Sequence, residues 1–313
     1  MEHEISEKIP IIELSAGELP RQLAEITGQP KRLYSRGDSG LLHRYVEGTV
    51  GGGRKLLCII GSRQYTPYGK EACEAIIAGL RGYPITIVSG LALGIDGIAH
   101  EAALKAGLRT VAVLGSGLDD DSIYPPAHQH IARRVLEAGG CLVSEYPAGT
   151  KPAPYHFPQR NRIMSGLSHA VLVIEAKRPS GTLITSQLAT DQNRDILAVP
   201  GSIFSEHAGG PHYLIGKGAT PVTCAHDVLV ALGFEVEKVG RKSKDRQKSS
   251  EDGVKLTDLT IAEQTLLKTL DYPKTREELI RELGWNASET QVTISLLEIK
   301  GLVVAGFNEI RKK

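Results

Sequence analysis

The first two thirds of this 313-residue chain are predicted to form an α/β fold on a doubly wound, mostly parallel sheet. Three observations predict it. Short apolar runs recur at 56–60, 85–88, 110–114, 141–143, 170–174 and 196–199. Nearly all are followed by turns of small residues, among them Gly61-Ser62-Arg63, Ser89-Gly90, Gly115-Ser116-Gly117 and Ser180-Gly181-Thr182. Helical stretches such as 69–80, 97–105 and 128–137 fill the gaps. A strand apolar on both faces belongs in a sheet that helices cover on both sides, and strands alternating with helices give a parallel sheet.

Taken in order, residues 1–54 read as a lead-in packed onto the main domain, with a helical stretch at 18–26 and a flexible glycine-rich joint at 48–54. The main domain spans 55–237 and closes with a helix near Asp227. Residues 238–254 are a linker whose Lys and Arg residues are diluted by serines and acids. With no apolar periodicity, it is expected to be disordered. The tail, 255–313, has helical spacing at 260–270 and a capping box at Thr275-Arg276-Glu277-Glu278. A third helix is capped by Asn286 or Ser288, and a short apolar strand follows at 301–307. That succession predicts a small winged helix.

Composition narrows the function classes. Lys plus Arg (37) against Asp plus Glu (36) gives a net charge of +1, so nucleic-acid binding would need a local basic patch. The four cysteines are scattered and read as reduced and packed. The ten histidines form no H-x-x-x-H or H-E-x-x-H spacing, so no metal is expected. No leader peptide and no apolar run near the ~18 residues of a membrane span are evident, which predicts a cytoplasmic protein.

The candidate site lies where the strands end. Arg63, directly after the first strand turn, suits a phosphate, which a guanidinium can meet with two parallel hydrogen bonds; its bland role is pairing an acid on a neighbouring loop. The turns at Ser89-Gly90 and Ser116, with Ser180-Gly181-Thr182, would line one crevice at the carboxyl edge of the sheet. None forms a dinucleotide or Walker pattern, so neither cofactor is expected. Lys151, Phe157, Arg160 and Arg162 lie among Pro147, Pro152, Pro154 and Pro158, which predicts an extended strip able to follow a backbone and stack a base. Lys151 is assigned to phosphate, Phe157 to stacking or to the core, and one of the two arginines to structure. Asp96, Asp119 and Glu175 sit where catalytic carboxylates could, but Asp96 reads better as a helix cap. The third tail helix brings no free cluster of Arg or Lys, which argues against a sequence-reading recognition helix.

These motifs, with Tyr68-Gly69, Gly94-Ile95-Asp96, Asp119, Tyr124-Pro125, Phe157-Pro158-x-Arg160-Asn161-Arg162 and Ala198-Val199-Pro200-Gly201, resemble the DNA-processing protein A (DprA/Smf) family over roughly residues 10–230. The chain departs from that family in a reduced amino-terminal domain and in His128, where Asn is common. The resemblance implies an extended Rossmann-like domain that binds single-stranded DNA without catalysis. It also implies protection of incoming DNA, loading of the RecA recombinase in natural transformation, and a homodimer, with Leu214 and Ile215 as candidates for its face. The alternative is an enzyme or sensor for a nucleotide-derived ligand in the same crevice. Against hydrolysis, residues 182–188 contain no acid.

Overall fold

A computed structural model describes residues 9–43, 53–236, 259–305 and 309–312. They fall in two compact units, Met1–Lys238 and Val239–Lys313. The expected linker at 238–254, and most of the joint at 48–54, lie outside the described residues.

The first unit is built on a nine-stranded sheet. Its strands are β1 (Ile11–Leu14), β2 (Leu33–Gly37), β3 (Lys55–Ile60), β4 (Ile85–Ser89), β5 (Arg109–Leu114), β6 (Cys141–Ser144), β7 (Ala170–Val173), β8 (Asp195–Ala198) and β9 (Thr220–Pro221). They lie in the order β1-β2-β6-β5-β4-β3-β7-β8-β9. β3 to β9 pair in parallel, while β1 and β2 add an antiparallel edge. This is the predicted doubly wound, Rossmann-like sheet. The lead-in is part of it: β2 pairs with β6, and buried Arg36 donates to the Leu118 carbonyl (3.0 Å) and to Asp120 (2.5 Å) beyond β5.

The helices are α1 (Arg21–Ala24), α2 (Pro67–Ala78), α3 (Ile95–Lys105), α4 (Gln129–Glu137), α5 (His156–Leu167), α6 (Gly181–Asp191), α7 (Gly209–Gly216) and α8 (Ala225–Ala231). Side chains alternate along each strand, so β3 sends Leu57 and Ile59 to one face and Leu56, Cys58 and Ile60 to the other. The first face packs on α2, α3 and α8 through Ile77, Ala99 and Val228. The second packs on α1, α5, α6 and α7 through Leu23, Ile163, Ala189 and Leu214. Burial on both faces is why these strands read as unbroken apolar runs. Of the two candidates for a dimer face, Leu214 packs in this core and Ile215 is half-buried.

The second unit holds α9 (Ile261–Thr269), α10 (Arg276–Leu283) and α11 (Ala287–Ile299). A hairpin of β10 (Val303–Ala305) and β11 (Ile310–Lys312) follows. Thr260 and Thr275 each form a full capping box, and Asn286 caps α11 by accepting from the Glu289 amide. Leu266, Leu279, Ile294 and Leu297 form its core. No helix among the described residues is long and apolar enough to cross a membrane.

Candidate nucleic-acid interface

The chain leaves β3 toward β4, β5 and β6 on one side, then returns to place β7, β8 and β9 on the other. The carboxyl ends of β3 and β7 therefore diverge at a topological switch point, where doubly wound sheets open a crevice. A crevice of about 780 Å³ lies there. Gly61, Ser62 and Arg63 line it from the β3 turn, and Ser180, Gly181 and Thr182 from the start of α6. Thr182 ties the two together by donating to the Gly61 carbonyl at 3.3 Å. Phe157, Arg160, Asn161 and Met164, one face of α5, form the remaining wall.

α5 corrects the expected extended strip. Pro158 is the third residue of this helix, within the first turn, where amides have no intrahelical acceptor and a proline costs little. The consequence is angular. In a strand, residues two apart share a face; in a helix they diverge by about 200°. Arg160 thus faces the crevice while Arg162 faces away, toward a groove beside β2, where its Nη2 donates to both oxygens of Glu145 at 2.7 Å.

Arg160 is buried. Its Nη1 donates to the carbonyls of Gly90 (2.6 Å) and Val113. Its charge is balanced by Asp96, which accepts from the Gly90 amide at 3.2 Å. Burial raises the Asp96 carboxyl above its usual range, against the pull of Arg160. Asp96 is the second residue of α3 rather than its cap, which is Gly94. Ser89 donates to the Ile59 carbonyl at 2.7 Å and is fully buried. Ser116 is also buried, with its hydroxyl directed at the Gly117 carbonyl and its own carbonyl accepting from Ser144. Arg160 thus joins the crevice wall to the ends of β4 and β5, at Gly90 and Val113. In the free chain the side chains of Ser89, Ser116 and Arg160 and the Gly90 amide serve internal bonds.

The accessible members of the predicted set are Arg63, Lys151 and part of Phe157. Arg63 is exposed at the mouth, with its guanidinium 5.8 Å from the Phe157 ring centre. Exposed Lys151 donates to the Asp121 carbonyl at 3.1 Å. Phe157 is half-buried against the Gly115 turn and Tyr124, so its ring is largely occupied as a wall. Among the described residues, the charged ones lining the crevice are Arg63, Arg160 and Lys177 against Asp96, three cations to one carboxylate in a chain that is nearly neutral overall. Lys177, which sequence reasoning missed, also pairs with Glu206 at 2.9 Å.

The other acids are committed. Glu175 accepts from the Thr66 amide (2.9 Å) and hydroxyl (2.5 Å), fixing the residue that caps α2. Asp119 accepts from the Gly149 amide (2.6 Å) and the Ser122 hydroxyl (2.7 Å), bonds that hold its carboxyl below the usual range against partial burial. No group of three metal-ligating side chains occurs among the described residues.

The family model for DNA recombination-mediator protein A matches residues 11–233, the whole of this sheet. The chain belongs to that family. The protein Smf of Escherichia coli is 42% identical over 215 residues, 69% of this chain and 54% of that one. The chain thus spans about half the length of that curated relative. The X-ray structure of DprA from Streptococcus pneumoniae aligns with a TM-score of 0.64 at 37% identity, over 75% of this chain and 77% of that one. DprA from Helicobacter pylori, whose structure concerns its single-stranded DNA binding mode, aligns at 0.62 and 28% identity, over 72% and 97%. In this member of the DprA/Smf family the crevice walls come from Gly61-Ser62-Arg63, the start of α6 and one face of α5.

Proposed function

We propose that this chain is a non-enzymatic mediator that binds single-stranded DNA, protects it, and loads RecA onto it during natural transformation, acting in the cytoplasm as a homodimer. The observation that carries the reading is the cation surplus of the switch-point crevice, with Arg63 free at its mouth. Phosphate oxygens following one another along a strand would meet Arg63, then Lys151, each releasing counterions. The amides and dipole of the α6 start add a fixed positive end. Arg160 and Arg162 hold the walls.

Absence of catalysis is supported by the fate of the acids. The one carboxylate lining the crevice, Asp96, is tied to Arg160 and the Gly90 amide. The family description and the single-stranded DNA binding of the Helicobacter relative point the same way. A second reading, an enzyme or sensor for a nucleotide-derived ligand, is favoured by the crevice volume, which is within the range of small-ligand sites.

The test is competition of labelled single-stranded DNA with duplex and with nucleoside monophosphates, followed by RecA filament assembly on the bound strand. Preference for single strands, with faster RecA assembly, is expected. Displacement or hydrolysis of monophosphates at micromolar concentrations would move the assignment to the second reading.

A further inference from the structure

Two exposed rings stand near the start of α5 without a place in the phosphate track. Tyr155, at the amino-terminal cap position of the helix, is 64% exposed, and Tyr124 is 45% exposed. An exposed aromatic ring forgoes the burial that usually places it in a core, and its flat face is available to another π-system. Both rings are braced from behind. Tyr155 meets the His156 ring edge-on at 4.5 Å. His156 in turn stacks on Tyr146 at 3.9 Å and donates Nδ1–H to the Gly115 carbonyl at 3.0 Å. Tyr124 leans on Phe157 at 5.8 Å, and Phe157 lies beneath the Arg63 guanidinium. Tyr124 thus touches a residue that lines the crevice, Phe157, and Tyr155 lies in sequence between two that do, Pro154 and Phe157, with Lys151 four residues before it.

We propose that Tyr155 and Tyr124 are the stacking platforms for bases of the single strand whose phosphates Arg63 and Lys151 neutralise. The proposal rests on the single-strand reading above and extends to these more exposed rings the stacking role that half-buried Phe157 can fill only in part. Every base has a π-face, so such platforms grip a strand without reading its sequence, while a duplex, its bases already stacked, gains nothing from them. Stacking is uncharged. Its loss should lower affinity without changing the number of counterions released.

The experiment is fluorescence anisotropy of the full chain with a labelled oligothymidine, at several salt concentrations. It compares wild type with Tyr155→Ala, Tyr155→Phe, Tyr124→Ala and Arg63→Ala. In parallel, a single-stranded oligonucleotide carrying 2-aminopurine reports stacking by quenching. Each alanine variant should weaken binding roughly 5- to 100-fold with an unchanged salt slope and reduced quenching, while Tyr155→Phe keeps affinity and quench. Both rings are exposed, so circular dichroism melts should match wild type. If Arg63→Ala weakens binding but both tyrosine-to-alanine variants bind and quench as wild type does, stacking at these rings is overturned and the single-strand reading survives. If the wild type itself fails to bind single strands, the reading fails and the stacking proposal falls with it.

Discussion

The guanidinium of Arg160 donates to the carbonyl of Gly90 at 2.6 Å, and a methyl group on Gly90 would lie 2.1 Å from that same Nη1. Glycine is needed here for close approach: Gly90 has no positive φ, but any side chain would displace the buried cation. Sixty-nine residues of chain separate the two, so this bond fixes the α5 wall to the end of β4.

Gly90→Ala should therefore destabilise the first unit by about 3 kcal/mol, the upper part of the range for overpacking. Arg160→Ala, which leaves the Asp96 carboxylate buried without its cation, should cost about 3–5 kcal/mol. The double variant should cost less than the sum, because both changes remove the same bond. Denaturant unfolding followed by circular dichroism checks this; simple additivity would mean the pair is not coupled.

His100 predicts acid lability. It is fully buried in α3, and Thr110, whose hydroxyl donates to the Ile87 carbonyl, accepts from His100 Nδ1–H at 2.7 Å. Burial, aided by the nearby His128 and Arg160, pushes its pKa down to about 3 from 6.5. The unfolded chain binds a proton that the folded chain refuses between those values, so stability is full above pH 6.5 and falls progressively toward pH 3. His100→Gln should be less stable at pH 8 but show a flatter decline from pH 7 to 5. An equal slope in the variant would remove His100 as the source.

In the second unit, Lys300 meets Glu263 at 2.6 Å. That bond, with those from Thr260, holds the Glu263 carboxyl below its ordinary value. A depressed carboxyl contributes stability that is present above its unfolded pKa and is lost as pH falls through the folded value. The only tryptophan, Trp285, packs on this unit's core and reports it separately from the sheet. Acid titration of Trp285 fluorescence should show the unit opening below the ordinary glutamate range, and Lys300→Met should shift that transition to higher pH. An unmoved transition would sink the assignment.

Much of the sheet was legible because parallel strands buried on both faces leave unbroken apolar runs, as at 56–60 and 170–174. The edge strands β1 and β2 carry no such signal, since Ile12 and Glu13 of β1 are exposed and β2 holds Ser35 and Arg36; pairing of β1 with β2 and of β2 with β6 defines their place. The helix at 156–167 is masked in the sequence by Pro158, which falls in its first turn, where a proline is tolerated. Arg160 and Arg162 were inseparable by sequence because their partners, Gly90, Val113 and Glu145, lie 17 to 70 residues away. Tyr155 and Tyr124 offered only one signal, aromatic residues beside a Pro-rich cationic stretch, and exposure, which sequence does not display, decides their role.

The central claim is that Arg63 at the switch-point crevice binds the phosphates of single-stranded DNA. Affinity of wild type and Arg63→Ala for a single-stranded oligonucleotide, measured across a salt series, tests it most directly. Weaker binding by the variant is expected, with a log–log salt slope shallower by about 0.7, the value for one phosphate contact on a single strand. Equal affinity and equal slope for the two proteins would contradict it.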